Sequence, residues 1–270
     1  MTMYSAIFTD IDGTLFKSDL TIGERTKEAI RQASANGMKI VLCSGRYITG
    51  MERASEQLGV PVIYAAINGA LIKAGDKYLR EHRIGSGIYS QLAGFVKGKV
   101  SSLIAFCENR YAIDANDEWY TLQNSICGDT GIRMDISDPD EVERKTGEKP
   151  YKILIKDNDC DKLKRIMKEL KERAGGKAEI ISSGWNNIEI LPEGTDKREA
   201  IPIVADYLGI PVSETIAFGD WDNDAGMLEA AGLGIAMANG SEKAKEAAAH
   251  ITLSNNEDGI AAALKKFSII

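Results

Sequence analysis

Histidine is almost absent. The chain has two in 270 residues, His82 and His250, and neither stands in a metal-ligand spacing. A histidine-based catalytic apparatus therefore has little to work with. The four cysteines, Cys43, Cys107, Cys127 and Cys160, are scattered without a CxxC pair. That excludes an ordinary zinc site and fits free thiols in a reducing compartment better than a disulfide scaffold. No apolar run approaches the ~20 residues that a membrane span needs. The opening stretch MTMYSAIF has neither the basic segment nor the long apolar region of a secretion signal. Positive charge is also in deficit, with 33 lysines and arginines against 40 aspartates and glutamates and a formal charge of −7. No global basic field exists to draw in a nucleic-acid backbone. The expectation is a soluble, cytoplasmic protein with neither nucleic acid nor membrane as its main partner, and with its oligomeric state open. A hydrophobic share of 44% over this length is enough for one large domain or two modest ones.

What is present is an alternation of strand and helix signals through the first eighty residues. An apolar strand at 5–9 is followed by Thr21-Ile22-Gly23-Glu24, which fits a capping box, and by a helix that stops at Gly37. Lys39 to Cys43 forms a second strand ending at Ser44-Gly45-Arg46. A third, Val62 to Ala66, ends at Asn68-Gly69. This rhythm indicates a parallel sheet covered by helices on both faces. Between about 83 and 190 the rhythm changes. Helices near 86–97 and 159–173 stand among strands near 101–107, 151–156, 178–183 and 186–191. Gly85 and Gly87 punctuate one end of this region, and Pro192-Glu193-Gly194 the other. The first rhythm then resumes, with a helix over 196–208 and a strand from Thr215 to Phe218 that ends at Gly219-Asp220. The predicted architecture is α/β: a Rossmann-like, doubly wound parallel sheet from 1–82 and 191–270, with an inserted α+β cap domain at 83–190.

Open parallel sheets bind ligands beyond the carboxyl ends of their strands. The residues placed there are Asp10, Asp12, Ser44, Arg46, Asn68, Asp220, Asn223 and Asp224, with Lys197 at the start of the helix after the insert. Converging carboxylates repel and raise one another's pKa. A hard cation relieves that, and a small oxygen-only ligand set suits Mg²⁺. A spacing of two puts Asp10 and Asp12 on one face if the strand runs on that far. Taken singly, DxDGT also fits a turn, Ser44-Gly45-Arg46 a polar loop, and Lys197 a solvated helix position. Their weight comes from order and position.

In that order, Asp10-Ile11-Asp12-Gly13-Thr14-Leu15, Ser44-Gly45-Arg46, Lys197 and Gly219-Asp220-Trp221-Asp222-Asn223-Asp224 resemble the four motifs of the haloacid dehalogenase-like hydrolases. The insert between the second and third resembles the large α/β cap of the Cof-type sugar-phosphatase branch. The resemblance implies that Asp10 is a nucleophile forming an aspartyl-phosphate and that Asp12 is a general acid and base. It implies that Ser44 and Lys197 stabilise the phosphoryl group. Mg²⁺ would be held by Asp10, the backbone carbonyl of Asp12 and Asp220, with Asp224 orienting ligands. Gly45, Arg46, Asn68 and Asn223 are further candidates for phosphate or substrate contact. The activity implied is hydrolysis of a small phosphorylated metabolite, either a sugar phosphate or a phosphorylated cofactor. A phosphomutase is the alternative within the same motifs. A phospho-aspartate signalling module is the alternative from another class, and Asp12 and the large insert argue against it. Trp221 and Asp222 stand where the family commonly carries small or polar residues. Trp185-Asn186-Asn187 reads as the turn between the last two strands of the insert, and Tyr111, Trp119 and Tyr120 as its core.

Overall fold

A computed structural model of the chain describes residues 4–127 and 131–270. It divides into two units. One takes in the chain up to Arg46 together with Met51–Glu81 and Asp196–Ile270, and the other takes in Tyr47–Gly50 and His82–Thr195.

The first unit opens with β1 (Ala6–Thr9), α1 (Glu24–Ala35), β2 (Lys39–Cys43), α2 (Ile48–Leu58, whose first turn falls in the other unit), β3 (Val62–Ala66), β4 (Leu71–Ala74) and β5 (Lys77–Glu81). The second holds α3 (Ser86–Val96), β6 (Ser102–Phe106), β7 (Tyr111–Ala115), α4 (Asp117–Cys127), β8 (Gly131–Arg133), α5 (Pro139–Thr146), β9 (Lys152–Lys156), α6 (Cys160–Ala174), β10 (Ala178–Ile181) and β11 (Asn187–Pro192). The first unit resumes with α7 (Ala200–Leu208), β12 (Thr215–Gly219), α8 (Ala225–Ala230), β13 (Leu233–Ala236), α9 (Glu242–Ala247), β14 (His250–Ile251) and α10 (Gly259–Lys266).

The first unit's sheet runs β14-β13-β12-β1-β2-β3-β4-β5. Its first six strands are parallel, as a doubly wound fold requires, and β1, β12 and β13 are buried on both faces, whereas Ile251 of the edge strand β14 is exposed. All four residues of β1 are buried. It pairs with β2 on one side and with β12 on the other, Thr9 lying opposite both Leu42 and Phe218. Successive strands run outward in opposite directions from the β1–β12 boundary, so the topological switch point lies there.

Two sequence expectations need correction. The sheet is not wholly parallel, because β4 and β5 add an antiparallel hairpin at its edge. These short, lysine-bearing strands carry little apolar signal. The capping box at Thr21 also does not form. Gly23 is the N-cap of α1, without a side-chain cap bond, and Thr21 Oγ1 donates instead to Asp19 at 2.6 Å. Residue 23 is held to glycine from 235 positions on. A Cβ at Gly23 would sit 1.8 Å from Asp258 Oδ1, the oxygen that accepts a hydrogen bond from Thr26.

The insert's sheet runs β10-β11-β9-β6-β7-β8 and is antiparallel except for the β7–β8 pair. Helices α3, α5 and α6 contribute to an apolar core on one face, where Leu92, Val142 and Leu170 meet Ile153, Ile155 and Ile190. The helix read at 159–173 is present, capped by Asp159 and closed by Gly175 in the left-handed region. Sequence reading missed β7, α4, β8 and α5.

Candidate active site

The strand β1 ends at Thr9, one residue before the first carboxylate. The Asp10 amide still donates to the Phe218 carbonyl, at 2.9 Å, so Asp10 remains anchored to β12. The chain then turns. Ile11 is fully buried, and Gly13 takes φ +85. Asp10 and Asp12 therefore diverge: Asp10 is buried, whereas the Asp12 side chain is half exposed. Arg46 grips the Asp12 carboxylate with two hydrogen bonds, Nε to Oδ2 at 2.7 Å and Nη2 to Oδ1 at 2.6 Å. The Arg46 guanidinium also lies 5.8 Å from the centre of the Phe16 ring. A partly solvated pair of this kind contributes more to position than to stability.

Lys197 sits in a single 3-10 turn, Lys197–Glu199, whose N-cap Asp196 accepts from the Arg198 amide at 2.8 Å. Its side chain is buried. Nζ lies 2.5 Å from Asp10 Oδ1 and 2.6 Å from Asp224 Oδ1, bridging two carboxylates from opposite ends of the sequence. The other oxygen of Asp224 accepts the backbone amides of Asp220 and Trp221, both at 2.9 Å. Asp220 in turn accepts from Thr14 Oγ1 at 2.8 Å.

One carboxylate oxygen from each of Asp10, Asp220 and Asp224 lies within 4.8 Å of the others. Burial raises the Asp10 pKa well above the usual carboxylate range, and the neighbouring Asp224, Asp220 and Asp12 add to the rise although Lys197 opposes it. Burial likewise pushes Asp220 up to about 6, with the Asp224 charge contributing. Burial works against the Lys197 ammonium, but Asp10 and Asp224 hold its pKa above the ordinary lysine range. Three buried carboxylates share one ammonium, so a compact group of hard oxygen donors is left short of positive charge. That donor set fits a small divalent cation.

Ser44 is buried at the end of β2. Its Oγ accepts from the Arg46 amide at 3.2 Å, and its carbonyl accepts from the Asn68 amide at 2.9 Å. Asn68 and the preceding Ile67 both have positive φ, 54 and 52. For a β-branched residue such as isoleucine this is a strained conformation, of a kind that clusters at functional sites. Asn223 Nδ2 lies 3.4 Å from Asn68 Oδ1, joining the fourth motif to the turn after β3. Gly45 lies between Ser44 and Arg46. Trp221 and Asp222 are exposed.

Sequence reasoning overlooked three supporting bonds. Thr14 is legible as part of the first motif and its turn, but its bond to Asp220 is not. Asn239 Nδ2 donates to the Gly13 carbonyl at 2.8 Å, and Asn255 Nδ2 to the Phe16 carbonyl at 2.8 Å, bracing the turn from the far end of the chain. The Asn239-Gly240 dipeptide marked a turn but not its target. A Cβ at Gly13 would stand 2.3 Å from Asp220 Oδ2 in a backbone conformation that already disfavours side chains. We expect Gly13→Ala to destabilise the protein by about 1–3 kcal/mol and to weaken Mg²⁺ binding. Thermal melts and calorimetric titration with Mg²⁺ check this; unchanged values in both would contradict the close approach.

Fold and site together define a doubly wound α/β protein with a buried carboxylate–lysine centre beyond the carboxyl ends of its strands. The haloacid dehalogenase-like hydrolase family matches residues 7–264. The chain is 31% identical over 277 residues to the 5-amino-6-(5-phospho-D-ribitylamino)uracil phosphatase YwtE of Bacillus subtilis, covering 94% of this chain and 95% of that protein. It is 28% identical to YitU, which carries the same enzyme name in the same organism, with 97% and 96% covered. Among solved structures, a haloacid dehalogenase-like hydrolase from Bacteroides thetaiotaomicron superposes with a TM-score of 0.88 at 26% identity, covering 98% of this chain and 99% of that one. The HAD subclass IIB sugar phosphatase BT4131 superposes with a TM-score of 0.80 at 25% identity, covering 98% and 100%. The chain belongs to the haloacid dehalogenase-like hydrolase family. Within it, the chain is a phosphatase, a hydrolase of phosphoric monoesters.

Proposed function

We propose that the protein hydrolyses small phosphomonoesters by way of a phosphoryl group carried on Asp10, with Mg²⁺ held by Asp10, the backbone carbonyl of Asp12 and Asp220. The observation that carries this reading is the buried Lys197 ammonium bridging Asp10 and Asp224 beside Asp220. Bound there, Mg²⁺ supplies positive charge to the phosphoryl oxygens.

The chain's own residues do the rest. An Asp10 oxygen attacks phosphorus, and the bond from phosphorus to the ester oxygen breaks. Asp12 gives its proton to the departing oxygen. It then takes a proton from the water that attacks the aspartyl-phosphate, releasing inorganic phosphate and regenerating Asp10. Arg46 holds the Asp12 carboxylate by both oxygens, so one of these hydrogen bonds must open before Asp12 carries the proton that it gives to the departing oxygen. Lys197 and the Ser44 hydroxyl favour the extra negative charge of the transition state. Asp224 does not react; it fixes Lys197 and the backbone of Asp220.

The substrate is a small phosphorylated metabolite, either a sugar phosphate or a phosphorylated cofactor precursor. The enzyme names of YwtE and BT4131 support both classes. The insert is proposed as the cap that selects among them. No helix among the described residues is long and apolar enough to cross a membrane, in keeping with a proposed cytoplasmic location. A phosphometabolite panel scored for phosphate release, with Mg²⁺ and with chelator, tests the proposal. Turnover that survives complete metal removal would refute it.

Metal binding carries a pH signature. The Asp220 pKa is raised above its unfolded value, so its burial costs no stability below pH ~4, where both states are protonated. The penalty grows as pH rises through about 6. A bound cation removes that penalty. The increase in melting temperature on adding Mg²⁺ should therefore be small at pH 5 and larger at pH 7. A shift independent of pH would contradict the role of Asp220.

A further inference from the structure

Two backbone turns carry the proposed metal ligands, one after β1 and one after β12, and a single short loop fastens both. In that loop, between β13 and α9, the Met237 amide donates to the Gly219 carbonyl at 3.0 Å and the Ser241 amide to the Asp220 carbonyl at 2.8 Å. Asn239 stands between them and reaches the other turn, its Nδ2 donating to the Gly13 carbonyl at 2.8 Å. Its Oδ1 accepts from the Asn255 amide at 3.0 Å. A backbone carbonyl and a backbone amide have fixed roles, so together they set which way the Asn239 side chain points. Asn255 then returns to the first turn, donating from Nδ2 to the Phe16 carbonyl at 2.8 Å.

These bonds bracket the peptide that joins Asp12 to Gly13. The Phe16 amide donates to the Ile11 carbonyl at 2.8 Å, and Asp12 and Phe16 form an isolated parallel bridge. A bridge of this kind turns the Phe16 carbonyl toward the Gly13 amide. The peptide is trans, so the Asp12 carbonyl points away from Phe16. Asn255 fixes the Phe16 carbonyl, and Asn239 fixes the carbonyl of Gly13 itself. Gly13, at φ +85, has no side chain to oppose a flip of the peptide before it. The two asparagine side chains are placed to oppose it. Asn239 is exposed, and an exposed side chain ordinarily contributes little to stability, so its two bonds call for another explanation.

Resting on the phosphatase reading above, we infer that Asn239 and Asn255 are positioning residues for the divalent cation. They lock the peptide between Asp12 and Gly13, and with it the direction of the Asp12 carbonyl, the backbone member of the proposed ligand set. Neither asparagine is itself a ligand.

The test titrates Mg²⁺ alone into metal-free enzyme in a calorimeter. Asn239→Ala should weaken binding by about 10–100-fold, the usual cost of losing a group that orients a metal ligand. The metal-free melting temperature should hardly move, and kcat at saturating Mg²⁺ should stay within about threefold of the parent. Asn239→Asp separates position from charge. It keeps an acceptor for the Asn255 amide, loses the donor to Gly13 and adds a negative charge. Simple attraction makes Mg²⁺ bind more tightly to that variant, whereas a lost anchor makes it bind more weakly. Binding at parental strength or tighter would overturn the inference. Asn255→Ala, which frees the Phe16 carbonyl, should also weaken binding, and parental affinity there overturns the inference even if the variants at 239 fail to fold. Asn256→Ala is the control. Asn256 holds the same turn farther along, accepting from the Ser18 amide at 3.2 Å and donating to the Ser18 hydroxyl at 3.1 Å. Its loss should leave Mg²⁺ affinity within about twofold; a loss as large as that of Asn239→Ala would mark general loosening and overturn the inference. A variant at 239 that melts lower and binds Mg²⁺ like the parent marks the residue as structural and overturns it too. A parent enzyme that takes up no Mg²⁺ would instead strike at the phosphatase reading itself, and this inference would fall with it.

Discussion

Asp10→Asn is expected to lower kcat/KM by about 10⁴-fold, a loss of about 5 kcal/mol of transition-state stabilisation, while leaving the fold intact. Asparagine keeps the shape of the side chain and the backbone bond from residue 10 to Phe218. It removes one of three crowded carboxylates, and Lys197 keeps Asp224 as its partner. Burial already disfavours the ionised form of Asp10. The variant should therefore melt no lower than the parent at neutral pH. Acid-quenched parent enzyme should carry a hydroxylamine-labile phosphoryl group during turnover, and the variant should carry none. Substantial residual activity, or the same label on the variant, would remove Asp10 from the role of nucleophile.

Lys197→Met is expected to damage both activity and stability. Without the ammonium, Asp10, Asp220 and Asp224 confront one another with no buried cation between them. Removing one partner from such a buried network costs about 3–5 kcal/mol, a fall in melting temperature on the order of 10 °C for a chain of this size. The sign of the pH dependence is specific. The Lys197 pKa is raised in the folded state, so its contribution is complete below the unfolded lysine value of ~10.4 and is lost only at more alkaline pH. Between pH 5 and 8 the variant's deficit must then follow the carboxylates. It should shrink as pH falls and they take up protons, and it should shrink again when Mg²⁺ saturates the site. Melts at pH 5 and pH 8, with and without Mg²⁺, decide the matter. A deficit of constant size across all four conditions would show that Lys197 acts only through packing.

The parts of the fold legible in the sequence are those where local signal and burial agree. β1, β2 and β3 are apolar runs closed by polar loops, and sheet burial on both faces demands just that pattern. Lys197 was legible from its order among the motifs, although its local setting reads like any solvated helix start. What stayed hidden depends on distant partners. Gly23, not Thr21, is the cap of α1, and Asp258, 235 residues on, occupies the space where any side chain at 23 would sit. A spacing of two puts Asp12 on the Asp10 face only if the strand runs on that far; it stops at Thr9, and a pairing with Arg46, 34 residues on, sets the direction of Asp12. Asn239 and Asn255 brace the first motif from the C-terminal quarter, and no local pattern announces such a bond. In the insert, β8 has three residues and α5 only eight, too little for a periodic pattern to stand out.

The pairing of β1 with β12 also sets a timetable for synthesis. β1 leaves the ribosome before either of its neighbours, and β2 joins it about thirty residues later. Its other neighbour begins only at Thr215. At about 5–20 residues per second, one edge of the central strand waits on the order of ten to forty seconds for its partner, while every strand of the insert is already made. Asp10 likewise waits for Lys197, Asp220 and Asp224, all encoded after the insert. The nascent chain therefore carries the proposed nucleophile long before it carries the groups that would make it reactive, and the catalytic centre can be assembled only after the whole insert and the segment to Asp224 have been made.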